Sequence, residues 1–164
     1  MNTANWVWSE ELKGGRVGLS GNGKTAGLNE EGHGVFMVNV PMSEGKYSWK
    51  VKLDKMQNTF SIALGVGEKN LDLNDKISQK SFWGFAPGMA RKFIKGSSAE
   101  DWGNSAKEGD IIGLELEFVN NKGMLSFSIN GESVGVLCSD LSPPLYPTAK
   151  LYYKEDQNQI SLVG

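Results

Sequence analysis

Residues 46–53 alternate without a break. Tyr47, Trp49, Val51 and Leu53 hold one parity, and Lys46, Ser48, Lys50 and Lys52 hold the other. Successive strand side chains point to opposite faces, so this segment predicts a strand with one apolar and one wet face. Residues 109–137 carry the same alternation through three further strands. Ile112, Leu114, Leu116 and Phe118 share a face of the first, and Leu125, Phe127 and Ile129 share a face of the second. Asn120-Asn121-Lys122-Gly123 separates these two, and Asn130-Gly131 precedes the third, which holds Val134, Val136 and Leu137. Asn and Gly tolerate the positive φ that tight hairpins demand. The prediction is an antiparallel meander with one solvated face.

The rest of the chain is read the same way. Residues 59–66 predict a strand with Phe60, Ile62, Leu64 and Val66 on one side. Residues 17–19 and 25–28 flank a hairpin turn at Gly21-Asn22-Gly23, and Phe36, Val38 and Val40 form a strand face that stops at Pro41. Near the N-terminus, Ser9 is placed to cap one short helical turn that Gly14-Gly15 ends. Residues 67–80 and 86–107 lose periodicity. Long irregular segments in compact domains are often functional. About ten short strands with turn signals between them predict an all-β sandwich or barrel, with at most that one helical turn.

The order of several short motifs adds to this. Gly45-Lys46-Tyr47-Ser48-Trp49-Lys50-Val51 resembles the Gly-x-x-x-Trp-x-Val strand of the SPRY domain family. Ile62-Ala63-Leu64-Gly65-Val66, Trp83-Gly84-Phe85 with Gly88, and Trp102-Gly103 before Gly109-Asp110-Ile111-Ile112-Gly113 are similar to its succeeding strands. Leu145-Tyr146-Pro147 then Thr148-Ala149 resembles its last core strand. Lys50 departs from the pattern, since many relatives carry an acid after the Trp; the position points to solvent. The resemblance implies one SPRY domain over residues 1–164, with its core at about 17–162. Its fold would be a concanavalin-like β-sandwich of two bent antiparallel sheets packed face to face.

The resemblance also implies a function. SPRY domains are protein-interaction modules, and many recruit substrates in ubiquitin-ligase assemblies. Loops at one end of the sandwich form a shallow preformed site for a short peptide of a partner protein. Carried onto this chain, the rim comprises Leu28, Asn29 and Glu30; Asn70, Leu71 and Asp72 within residues 67–80; Met89 and Arg91; and Tyr152, Tyr153 and Lys154. Arg91 and Lys92 would suit an acidic ligand group, and Asp72 and Asp75 a basic one. The two tyrosines divide the readings. Alternation from Ala149 and Leu151 turns Tyr153 inward and Tyr152 outward, whereas the resemblance puts Tyr153 at the rim.

Composition narrows the classes. The chain has 164 residues and a net charge of −2, with no basic block or stripe. That argues against nucleic acid and against an anionic membrane surface. Cys138 is the single cysteine, so no internal disulfide forms and a reducing, intracellular and cytoplasmic setting is expected. No apolar run approaches the roughly 18 residues of a membrane span, and the N-terminus lacks a basic-then-apolar signal. A fragment of a longer protein would read alike. A monomer without cofactor or metal is expected.

Three constellations invite catalysis or metal binding. Glu115 and Glu117 lie i and i+2 on a strand, about 6.6 Å apart, near the span of glycosidase carboxylates, about 5–9.5 Å. Sheet alternation alone explains them, and nothing local supplies groups to separate their pKa values. His33, the lone histidine, is expected in a polar loop with Glu30, Glu31, Gly32 and Gly34; no His/Cys pair has metal-ligand spacing. Asn70, Asp72, Asn74 and Asp75 offer oxygens in a calcium-loop-like rhythm but lack its glycine and distal Glu. The alternatives to peptide binding are therefore a lectin-like sandwich, with calcium at Asp72 and Asp75, and a glycoside hydrolase using Glu115 and Glu117. Cys138 reads as a small packing residue, and the Gly-rich segments lack the Lys-Ser/Thr of a phosphate loop.

Overall fold

A computed structural model describes residues 2–74, 80–95, 100–154 and 157–164. Thirteen strands follow one another: β1 (Val17–Ser20), β2 (Thr25–Leu28), β3 (His33–Met37), β4 (Gly45–Lys55), β5 (Ile62–Gly67), β6 (Phe82–Ala86), β7 (Arg91–Ile94), β8 (Glu100–Asp101), β9 (Ile111–Val119), β10 (Lys122–Ile129), β11 (Glu132–Leu141), β12 (Tyr146–Tyr152) and β13 (Gln159–Val163). They form two antiparallel sheets, seven strands in the order β1-β2-β13-β4-β9-β10-β11 and six in the order β3-β12-β5-β6-β7-β8. The sheets pack as a sandwich. Among the described residues there is no α-helix, and none long and apolar enough to cross a membrane.

The seven-stranded sheet is built as the alternation predicts. Tyr47, Trp49, Val51 and Leu53 of β4 are buried while the lysines between them are exposed. On β9, Ile112, Leu114, Leu116 and Phe118 are buried against the same interior. The meander turns take left-handed φ: 53° and 64° at Asn120 and Asn121, 51° and 86° at Asn130 and Gly131. Two successive positive-φ residues define the type I′ turn that matches strand twist.

The six-stranded sheet differs, because both its faces are covered. Every residue of β5 and β6 is buried, as are six of the seven in β12. Ile62, Leu64, Val66, Phe85, Ala149 and Leu151 face the inner core. Ala63, Phe82, Ala86, Phe93 and Tyr146 belong to a second apolar cluster on the outer face, with Leu71 packed over them. That outer cluster borders the candidate site.

Several expectations are corrected. Ser9 Oγ does accept the amides of Glu11 and Leu12, at 3.1 and 3.2 Å, but no helix follows. The chain is drawn into pairing with β3 instead, through Ser9 N to Met37 O at 2.8 Å and Met37 N to Leu12 O at 2.9 Å. Phe60 is off its predicted strand and 45% exposed, because Ser61 N bonds Asn58 O in a turn before β5 starts. His33 is on β3, opposite Tyr152, and not in a polar loop. Residues 86–107 are not irregular throughout, since β7 and β8 extend the sheet there.

Candidate functional site

Strand β12 ends at the site. Tyr152 is its last residue, with its amide donating to Ser61 O at 2.9 Å and its carbonyl accepting Asn158 Nδ2 at 3.1 Å. Tyr153 then takes φ 57°. This left-handed turn is uncommon for a bulky residue. It breaks the alternation that would have turned Tyr153 inward, so Tyr153 is 40% exposed while Tyr152 is half-buried.

The rings gather here. Phe60 and Tyr153 meet edge to face at 6.3 Å, and Tyr152 and Tyr153 lie 5.9 Å apart with planes inclined by 32°. His33 meets Tyr152 edge to face at 4.8 Å. Lys150, on the same outer parity of β12, holds Nζ 4.6 Å from the Tyr152 ring centroid, a cation–π contact. Burial, and then the Tyr153 side chain beside it, push the Tyr152 hydroxyl well above its usual pKa. It is therefore a neutral donor at any physiological pH. With Ile62, Ala63, Ala86, Met89 and Phe93, the rings of Phe60, Tyr152 and Tyr153 line an open cavity of about 310 Å³.

A polar cavity of about 430 Å³ is reached by Lys154, the residue that follows Tyr153. Leu28, Asn29, Lys55, Lys154 and Asn158 are among its lining residues. Asn158 is 5% exposed, and among the described residues its Oδ1 has no hydrogen-bond partner.

The expected rim residues are thus distributed unevenly. Met89, Tyr152 and Tyr153 come together in the aromatic cavity, and Leu28, Asn29 and Lys154 in the polar one. Glu30 is exposed at a bend and lines neither. Arg91 and Lys92 are met by acids of β8 in register, at 3.3 Å to Asp101 and 3.8 Å to Glu100. Asn70 is exposed in a turn. Leu71 is 6% exposed and serves the outer cluster as packing. Asp72 Oδ1 accepts Asn74 N at 3.0 Å, closing a local turn. Asp75 lies outside the described residues. Phe60, Ala63, Ala86 and Phe93 were missed. The available signal was the run of small residues at the outer positions of β5 and, after Phe82, of β6, namely Ala63, Gly65, Gly67, Gly84 and Ala86.

The other constellations have structural surroundings. Glu115 is 3.3 Å from Lys46 Nζ and within 3.5 Å of Ser48 Oγ, on the wet face of the seven-stranded sheet. Cys138 packs against the inner core, and burial pushes its thiol to about 12. His33 and Cys138 stand on different sheets. Among the described residues no three His, Cys, Asp or Glu side chains converge.

The strands of a rigid sandwich thus end in an aromatic hollow with turns displayed around it, the kind of place where functional side chains are carried on loops. The chain belongs to the SPRY family: the SPRY domain model matches residues 46–162. SPRY domains are a protein-interaction module, generally without catalysis. The chain is 25% identical over 154 residues to Ran-binding protein 9 of Danio rerio, covering 88% of this chain and 25% of that protein. It is 26% identical to Ran-binding protein 10 of Danio rerio over the same span. It therefore spans about a quarter of the length of these curated relatives. Among solved structures, the SPRY domain of human HERC1 superposes with TM-score 0.82 at 18% identity, covering 95% of this chain and 96% of that one. The TRIM65 PSpry domain does so with TM-score 0.73 at 14% identity, covering 98% and 92%.

Proposed function

We propose that this chain is one SPRY domain that binds a short peptide segment of a partner protein at the end where β12 leaves the sheet. The observation that carries the reading is the aromatic hollow of Phe60, Met89, Phe93, Tyr152 and Tyr153. It is preformed, apolar and ringed by turns, as peptide anchor sites are. The polar cavity with Leu28, Asn29 and Lys154, the last of which follows Tyr153 in the chain, supplies groups for the peptide backbone. The domain acts without catalysis or cofactor, as an intracellular monomer that recruits its partner for others to act on. Glu115, engaged with Lys46 and Ser48, supports the non-catalytic part of this reading. The partner of Glu117 across β4 is likewise a lysine, Lys46.

Affinity capture followed by peptide mapping identifies the bound segment. Calorimetry with that synthetic segment then tests the place. Tyr152→Ala or Tyr153→Ala should weaken binding at least roughly tenfold, whereas Lys50→Glu and Lys52→Glu should do little. Full affinity in the Tyr152/Tyr153 double variant would place the peptide elsewhere.

A further inference from the structure

The outer face of the six-stranded sheet carries a trough. Outer positions of β5 are Ala63, Gly65 and Gly67, and those of β6 after Phe82 are small as well: Gly84, then Ala86. Large side chains stand on both sides, Tyr146 and Tyr152 from β12 and Phe93 from β7. Half of the trough is filled from within. A Cβ at Gly67 would overlap Leu71 Cδ1, and a Cβ at Gly84 would overlap the Phe82 ring. Leu71 and Phe82 lie in that half and are 6% and 2% exposed. Over Ala63 and Ala86 no such side chain arrives among the described residues, and the remaining half is the cavity of about 310 Å³.

We infer that a partner completes the trough in trans as Leu71 and Phe82 complete it in cis. The ligand's anchor is one bulky neutral apolar side chain of the leucine, isoleucine, methionine or phenylalanine class. This rests on the peptide-binding reading above and specifies what the peptide must present. Two observations select the class. The cavity is at the small end of ligand pockets, a size for one anchor and not for an extended apolar face. Among the described residues none of its lining side chains carries a formal charge at neutral pH, so an ionised anchor would be desolvated without a counter-charge in the lining. Met89 and the mobile rotamers of its unbranched chain accommodate either a branched or a planar anchor.

The test uses the full chain and a phage-displayed random peptide library. Enriched peptides should share one position occupied by Leu, Ile, Met or Phe. Replacing that residue by Ala should weaken binding at least roughly tenfold. The synthetic peptide should shift the Met89 methyl and the Tyr152 and Tyr153 ring signals in NMR. N-acetyl-leucinamide should shift the same signals weakly, and N-acetyl-lysinamide should not. Ala86→Leu fills the trough in cis and should abolish binding with an unchanged fold. If that variant does not fold, the Met89 methyl shifts of the unmodified chain decide. A shared polar or charged anchor, with binding still lost in Tyr152→Ala, overturns this inference and leaves the peptide reading standing. Binders indifferent to Tyr152→Ala and Tyr153→Ala, or no binders, overturn the peptide reading itself.

Discussion

Asn158 donates its Nδ2 to the carbonyl of Tyr152 at 3.1 Å, and so ties the chain after the turn to the last residue of β12. Tyr152 N bonds Ser61 O at 2.9 Å on the other side. The peptide group preceding Tyr153 is therefore held by a side chain that is itself 5% exposed. Asn158→Ala should cost about 1–3 kcal/mol in urea melts, the penalty of an unpaired buried group. Asn158→Asp should also lose the bond at neutral pH, since a carboxylate has no donor. In both, the proton–proton contact between Phe60 and Tyr153 rings should fade in NMR.

Trp49 is 4% exposed, with Trp6 stacked at a tilt 5.6 Å away. Trp49→Ala should cost about 3–5 kcal/mol, the range for deleting a large buried aromatic. A loss under about 1 kcal/mol would reverse the face assigned to β4.

Tyr153 holds a left-handed φ that glycine adopts freely. Relief of that conformation offsets the lost ring contact with Phe60, each on the order of 1 kcal/mol. Tyr153→Gly should leave the thermal midpoint within a few degrees of the parent. Peptide affinity should fall with the ring. A large drop in midpoint would show the ring to be a packing element.

Glu115 pairs with Lys46 where both side chains are substantially exposed, 41% and 56%. Exposed pairs contribute little. Glu115→Gln and Glu117→Gln should each change stability by no more than about 0.5 kcal/mol. The unmodified chain should show no turnover of β-glucans or xylans. Turnover abolished by Glu117→Gln would restore the hydrolase reading.

Asp110 is held below its usual pKa of 3.8, first by Asn130 Nδ2 at 3.0 Å and then by the Lys107 amide at 2.9 Å. A depressed carboxylate stabilises the fold fully above its unfolded pKa, and that contribution is lost as pH falls through the lower folded value. Asn130→Gly keeps the positive-φ turn but deletes the main bond. In an NMR titration the Asp110 midpoint should move back up towards 3.8 in that variant.

The sandwich faces were legible because strand parity is local. Alternation in β4 and β9 assigned their buried sides, and Asn130-Gly131 marked its own type I′ turn. The six-stranded sheet was harder. Its strands are covered on both faces, so Ile62 to Gly67 reads as a continuous apolar run in which parity carries less information. The two-residue β8 was invisible, because it exists only through pairing with Arg91 and Lys92.

The sequence by itself determined the all-β class, the inward faces of the meander and the family, since these follow from nearest-neighbour alternation, turn chemistry and motif order. Only the tertiary structure assembled the candidate hollow around the tyrosines that motif order had singled out. Ala63 and Ala86 are merely small until Tyr152 and Phe93 stand on either side of them. Tyr153 faces outward only because a hydrogen bond from Asn158, and a left-handed φ, end the strand one residue earlier. Both depend on groups brought together by long-range pairing, which a local pattern does not encode.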